Sequence, residues 1–333
     1  MDHLIARRTV IAGAGAGAVT ALVTHAHAET KSDIQASEFW ANKGSVKLSL
    51  YRKRVAPKPG ETQPVLFLVH GSSNSARTSY DLTVPGKGEY SAMNTLAGFG
   101  FDVWTMDHDG YGRSGSSGNN SDIASGVEDL KAAMPVVMQE TGHQKVHMYG
   151  TSSGAIRAGA YAQTEPQRLE RLVLSAFTYK GTGSPEIARR RAVAEERYRN
   201  KTRRLRDAAM IRSIFTRDGL PGAYDMAVAE ALAAEEMKYG DQVPTGTYLD
   251  MAVNLPLVDP KKVTCPVLMV RGSHDGNSTN EDLLDFYTQL PNGDRQFVIL
   301  PHTAHSLGYG KNRHLLWYAV RNFLQAPAAI PAA

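Results

Sequence analysis

Short, nearly continuous apolar runs that alternate with stretches of helical period constrain this chain more than any other feature. Residues 65–69 (Val-Leu-Phe-Leu-Val), 146–149 (Val-His-Met-Tyr), 172–174 (Leu-Val-Leu) and 267–270 (Val-Leu-Met-Val) carry apolar or aromatic side chains on both faces of an extended chain. A strand of that kind has to be covered on both faces, which is the situation of a parallel strand between two helical layers. Strands are expected at 46–51, 65–69, 102–106, 145–149, 171–175, 267–271 and 296–300, and helices at 121–140, 155–164, 279–289 and 314–324. Ser121 and Asp122 give the first of these helices its N-terminal signal. The alternation predicts an α/β fold with a doubly wound, mostly parallel sheet. Between 175 and 267 the rhythm breaks into Arg-, Ala- and Glu-rich sequence without a convincing strand. That interval reads as an inserted helical cap at 178–256, with the core built from 29–177 and 257–326.

Composition narrows the class. With 42% hydrophobic and 21% charged residues, the chain has enough apolar material for a large interior and too little charge bias for disorder. The formal net charge is +4, and +3 without the two Arg and one Asp of the first 28 residues, which does not mark a nucleic-acid binder. A single cysteine, Cys265, excludes an intramolecular disulfide framework and a cysteine-based zinc site. It precedes Pro266 at the start of an apolar strand and reads as a core residue.

The first 28 residues read as an export signal. Arg7-Arg8 is followed by an uncharged run at 9–23 and by Ala26-His27-Ala28, small residues where a signal peptidase reads, so cleavage is expected after Ala28. The Arg pair and glycine-rich apolar run resemble a twin-arginine signal. Ala6 and Val10 stand where Ser or Thr and Phe are usual, which keeps ordinary Sec export as an alternative. Either route implies a periplasmic or secreted protein. Gly13 to Ala18 satisfies a loose dinucleotide-binding pattern, but no strand precedes it. The run is too short and too poor in large residues for a membrane span, and no stable membrane insertion is expected.

Gly150-Thr151-Ser152-Ser153-Gly154 is the only G-x-S-x-G in the chain, and it falls between an apolar strand and a helix. A sharp turn there lifts a serine hydroxyl above the sheet as a nucleophile, and the flanking glycines allow the backbone to crowd. The base is expected beyond the strand at 296–300, in Pro301-His302-Thr303-Ala304-His305-Ser306. His305, in a loop before a helix, is preferred to His302, which directly follows the strand. The spacing of the two is not a helical one that would face both imidazoles on a metal, and no acidic ligand is adjacent. Asp275, after the strand at 267–271, is the acid that orients the imidazole. Its bland alternative is a turn aspartate before Gly276. The loop after 171–175 offers no carboxylate. Ser152, Asp275 and His305 follow one another in the order nucleophile, acid, base.

With these residues in place, the chain from about 46 to 324 resembles the α/β hydrolases. His70-Gly71-Ser72-Ser73 stands where that family keeps its oxyanion loop, and Asp107 to Ser114 is similar to its D-x-x-G-x-G-x-S turn. The resemblance implies an oxyanion hole made by the backbone amides of Ser72 and Ser153. Serine in place of an aspartate nucleophile disfavours haloalkane dehalogenases and epoxide hydrolases, and the His-Gly-Gly-Gly form of one lipase group is absent.

The expectation is an exported serine hydrolase acting on a carboxylic ester of a small or medium hydrophobic substrate, with no metal or organic cofactor. An amidase, lactonase or carbon-carbon bond hydrolase would use the same three residues, and a hydrolase-fold ligand-binding protein is the alternative from another class. Ile214, Phe215, Tyr224, Met226 and Met251 are expected to line the pocket from the cap. The Arg run from Arg189 to Arg206, interleaved with Glu195 and Glu196 and followed by Asp207, reads as a solvated helix face, with an anionic-substrate or membrane-surface role as its alternative. Trp40, Trp104 and Trp317 are expected to pack in the core.

Overall fold

A computed structural model describes residues 34–218 and 220–328; the expected signal at 1–28 lies outside them. The strands are β1 (Ile34–Lys43), β2 (Val46–Val55), β3 (Val65–Val69), β4 (Asp102–Met106), β5 (Val146–Thr151), β6 (Leu169–Ser175), β7 (Arg203–Leu205), β8 (Gln242–Pro244), β9 (Val267–Gly272) and β10 (Arg295–Leu300). Eight of them form one sheet in the order β1-β2-β4-β3-β5-β6-β9-β10. β1 and β2 pair antiparallel, β2 meets β4 antiparallel, and every pairing from β4 to β10 is parallel.

Alternate residues of the central strands serve opposite faces, as the period of a strand requires. Val65, Phe67, Val69, Met148, Leu172 and Met269 pack with Leu130, Val137, Ile156 and Tyr161 of the helices Ile123–Thr141 and Ser153–Thr164. Leu66, Leu68, Tyr149, Val173 and Leu268 pack on the other side with Met93 and Leu96 and with Leu316, Val320 and Phe323 of the helix Arg313–Leu324. The helix at 123–141 starts where Asp122 accepts from the Ser125 amide at 2.8 Å and ends at Gly142, whose φ of 75° suits the left-handed position after a helix.

Two readings need correction. The sheet begins earlier than residue 46, because β1 adds an edge strand joined to β2 by the turn Gly44-Ser45, with Gly44 at φ 57°. Most of β1 is exposed, so it lacks the apolar pattern that reveals a strand. The interval 178–256 is not all helix: beside Pro185–Ala192, Ala208–Ser213 and Met226–Glu236 it contains the antiparallel pair β7 and β8. Its side chains hydrogen-bond to the loops that follow β3, β4 and β10, so it sits at the carboxyl ends of those strands. Among the described residues no helix is long and apolar enough to cross a membrane.

Candidate active site

The strand order reverses direction at β3, whose neighbours are β4 and β5, and the crevice outside the carboxyl ends of such strands is where an open α/β sheet places its ligands. β5 ends at Thr151 and the next helix begins at Ser153, leaving Ser152 to make the whole turn at φ 57° and ψ −127°. A side chain in that region is strained and persists only where the surroundings hold it. The two glycines of the motif explain how they do. A Cβ on Gly150 would overlap the Gly154 carbonyl and the Ala155 backbone, and one on Gly154 would overlap the Val69 and His70 carbonyls. The helix therefore starts against the backbone of β3 and β5.

Ser152, His305 and Asp275 come together. The Ser152 Oγ lies 2.9 Å from Nε2 of His305, and Nδ1 of His305 lies 2.8 Å from Oδ1 of Asp275. With Nδ1–H donating to the carboxylate, Nε2 is the acceptor that faces the serine. Burial works against the Asp275 charge, but the adjacent His305, its hydrogen bond and the Asn277 amide at 2.8 Å hold the carboxyl below its ordinary value. His302 is exposed, at φ 49°. The loops are stitched together by backbone bonds from Ser273 to Leu300 and from His274 to Thr303, both 2.9 Å. Gly272 permits this, since a Cβ there would meet the Thr303 carbonyl at 2.5 Å.

Three neighbours were not legible in the sequence. Asp218, from the cap, accepts the backbone N–H of His305 at 2.7 Å. Asn277 Nδ2 lies 3.3 Å from His305 Nε2. Glu236, fully buried, accepts the Ser75 amide at 3.1 Å and the Ser75 hydroxyl at 2.9 Å, together with the Thr78 hydroxyl and Arg206. Arg206 in turn donates to the carbonyls of Ser73 at 3.0 Å and Gly240 at 2.7 Å. Such contacts pair residues far apart in the chain and have no local pattern.

The same clamp holds the loop after β3. Ser72 and Ser153 meet through their hydroxyls at 2.6 Å, and neither backbone amide has an acceptor among the described residues. The Ser72 carbonyl is turned away, accepting from the Tyr111 hydroxyl at 2.9 Å. Beneath the loop, His70 accepts from the His108 amide at 3.1 Å through Nε2 and donates to the Gly71 carbonyl at 2.8 Å through Nδ1. Burial, reinforced by His108 and Arg157, pushes its pKa well below the usual value and keeps it neutral.

Above Ser152 lies a cavity with about 730 Å³ of empty space, part of it open to solvent. Core residues supply Gly71 to Asn74, Tyr80, Tyr149, His305 to Tyr309 and Trp317, and the cap supplies Arg190, Ile214 and Arg217. This corrects the expectation of an apolar lining. Of the five cap residues named from sequence only Ile214 reaches the cavity. Phe215 and Tyr224 pack with Tyr309 and Ala304, Met251 is buried against the core, and Met226 is exposed. The Arg run is likewise not one solvated face: Arg189 and Arg199 are exposed, while Arg190 and Arg206 are buried. Trp104 is in the core, Trp317 borders the cavity, and Trp40 lies at the surface under Lys47. The Cys265 thiol is pushed up to about 12 by burial, as an inert core position requires.

Known proteins share this architecture. A thermophilic esterase from Thermogutta terrifontis superposes with a TM-score of 0.58 at 19% identity, covering 87% of this chain and 98% of that one. An enol-lactonase from Burkholderia xenovorans gives 0.61 at 15% identity, covering 86% and 100%. A 2-hydroxy-6-oxo-6-phenylhexa-2,4-dienoate hydrolase from Rhodococcus gives 0.61 at 17% identity, covering 88% and 100%. In sequence, 170 residues are 29% identical to a 2-hydroxy-6-oxononadienedioate/2-hydroxy-6-oxononatrienedioate hydrolase of Paraburkholderia phymatum, which is 50% of this chain and half the length of that relative. The family model described as serine aminopeptidase, S33 matches residues 60–311, from before β3 through the His305 loop. A match over most of the chain, on this sheet, makes the protein an α/β hydrolase that belongs to the serine aminopeptidase S33 family.

Proposed function

We propose that the protein is a serine hydrolase that cleaves a carboxylic ester through an acyl-enzyme. The observation that carries this reading is the unbroken chain of hydrogen bonds from Ser152 through His305 to Asp275 at the floor of the cavity. In the proposed reaction Nε2 of His305 takes the Ser152 proton as Oγ attacks the ester carbonyl. The oxyanion that forms is held by the amides of Ser72 and Ser153, which have no competing acceptor among the described residues. The protonated imidazole, stabilised by Asp275, then gives its proton to the departing alcohol, and water releases the acyl group by the same steps in reverse. A fluorophosphonate should add one adduct at Ser152 and none to Ser152→Ala. An unmodified wild-type protein would sink the reading.

The P. phymatum relative, named as a hydrolase of hydroxy-oxo-dienedioates, supports a second reading in which the same residues cleave a carbon-carbon bond. Assaying esters, lactones, amides and vinylogous β-diketones side by side separates the two. The limited size of the cavity supports a small or medium, soluble substrate over a polymer. We also propose export by the N-terminal segment, supported by Arg7-Arg8 and Ala26-His27-Ala28.

A further inference from the structure

The cavity over Ser152 has a one-sided charge. Two guanidinium groups, Arg190 and Arg217, line it, and among the described residues no carboxylate does. Both arginines reach the same oxygen of Glu186, Arg190 through Nε at 2.9 Å and Arg217 through Nη1 at 3.7 Å, so they lie side by side. That carboxylate is oversubscribed, because Arg189 also engages it through Nε at 2.9 Å and Nη2 at 2.8 Å. Asp218 receives Nε of Arg217 at 3.2 Å but also accepts the His305 amide. Donors are therefore left unspent: Nη2 of Arg217 is buried with no partner among the described residues, and Nη1 of Arg190 finds only the Met251 thioether at 3.4 Å, a weak acceptor.

A buried N–H of a cation without an acceptor is costly, and the group that relieves it best is a planar oxyanion matching the guanidinium fork. We propose that Arg217, with Arg190 beside it, forms a carboxylate subsite, and that the substrate is an ester carrying a free carboxylate, such as a half-ester of a dicarboxylic acid. The inference rests on the serine-hydrolase reading of the same cavity. It sets this chain apart from its family's name, since an aminopeptidase substrate presents an ammonium group, which two arginines and no carboxylate would repel.

The test compares p-nitrophenyl hexanoate with mono-p-nitrophenyl glutarate, matched in chain length and differing in the terminal charge. Wild type should favour the anionic ester in kcat/KM, and 0.5 M salt should erode that preference. Arg217→Gln should lower the anionic-to-neutral ratio of kcat/KM about 10-fold to 100-fold, mostly through KM, and Arg217→Lys should restore part of it. Because Arg217 also touches Asp218, a loss shared equally by both esters would mean that it only props the His305 loop, and would overturn the proposal, as would wild type favouring the neutral ester. A readout without turnover separates this from the parent reading. Glutarate and adipate should slow fluorophosphonate labelling of Ser152 in wild type and do so at least 10-fold less effectively in Arg217→Gln. Labelling that proceeds but is indifferent to dicarboxylates removes the subsite and leaves the nucleophile standing; absence of labelling removes the nucleophile.

Discussion

Replacing Glu236 by Leu should be among the most damaging single changes away from Ser152. Glu236 and Arg206 are both buried, with side chains 0% and 2% exposed, so the substitution leaves a guanidinium in the interior with only carbonyl acceptors. It also strips the Ser75 amide and hydroxyl of their acceptor. Breaking a buried pair by removing one partner costs about 3–5 kcal/mol. For a domain whose total stability is on the order of 5–15 kcal/mol, that is a large share. The double variant Glu236→Leu/Arg206→Met removes the stranded charge and should recover at least about 2 kcal/mol of that loss. Equilibrium urea unfolding of wild type, both single variants and the double variant, followed by tryptophan fluorescence, gives the coupling directly. The single variant should also turn over an ester up to about 100-fold more slowly, since the loop bearing the Ser72 amide is released. A single variant that loses less than about 1 kcal/mol, or a double variant as unstable as the sum of its parts, would refute the reasoning.

Further outcomes follow from the geometry and, for export, from the sequence. Asp275→Asn should lower kcat on the order of 10⁴-fold, because the amide favours the wrong imidazole tautomer, while circular dichroism stays native. Gly154→Ala should abolish soluble expression or turnover, its methyl having nowhere to go but into the Val69 and His70 carbonyls. Acid should destabilise the fold: burial opposes their charge, but Lys43 and His108 hold Asp129, and Arg189, Arg190 and Arg217 hold Glu186, at about 2, so their contribution is complete above the ordinary carboxylate range and lost as pH falls toward 2. Asp107 works in the opposite sense, since burial pushes it to about 6 and its contribution fades as pH rises through that value; Asp129→Asn should flatten only the acid limb of urea midpoint against pH. Replacing Arg7 and Arg8 by Lys should strand precursor in the cytoplasm if the twin-arginine route is used, and normal export of that variant would leave only a Sec signal.

What the sequence reveals here depends on whether the cause is local. The runs at 65–69, 146–149, 172–174 and 267–270 are central strands because both faces are covered, and their composition says so. Ser152 and Asp275 stand at the carboxyl ends of such strands and His305 just beyond the edge strand β10, where turn residues and short motifs betray them. β1 is exposed and polar, and its pairing with β2 is a property of the hairpin rather than of its own residues. The Arg run misleads for a related reason. Interleaved acids at helical spacing predict a wet face, and Arg199 with Glu195 fits, yet Arg190 shares its helix with Arg189 and is buried by Met251 and Tyr248 from far along the chain. Phe215 and Tyr224 are apolar enough to line a pocket but satisfy each other and Tyr309 instead.

The contact between Asp218 and the backbone of His305 ties the loop after β10 to the interval 178–256 that contributes walls to the cavity. Grafting a different roof onto this scaffold, or trimming the existing one away, would unpin the imidazole along with the substrate walls, and activity would vanish before selectivity could be measured. Variation that preserves chemistry has to enter one side chain at a time, at positions such as Ile214, which faces the void from the edge of an apolar cluster. A lineage diversifying on this frame would drift in small steps around a fixed set of anchors, and an engineer seeking new substrates should randomise the same few walls and leave the anchors alone.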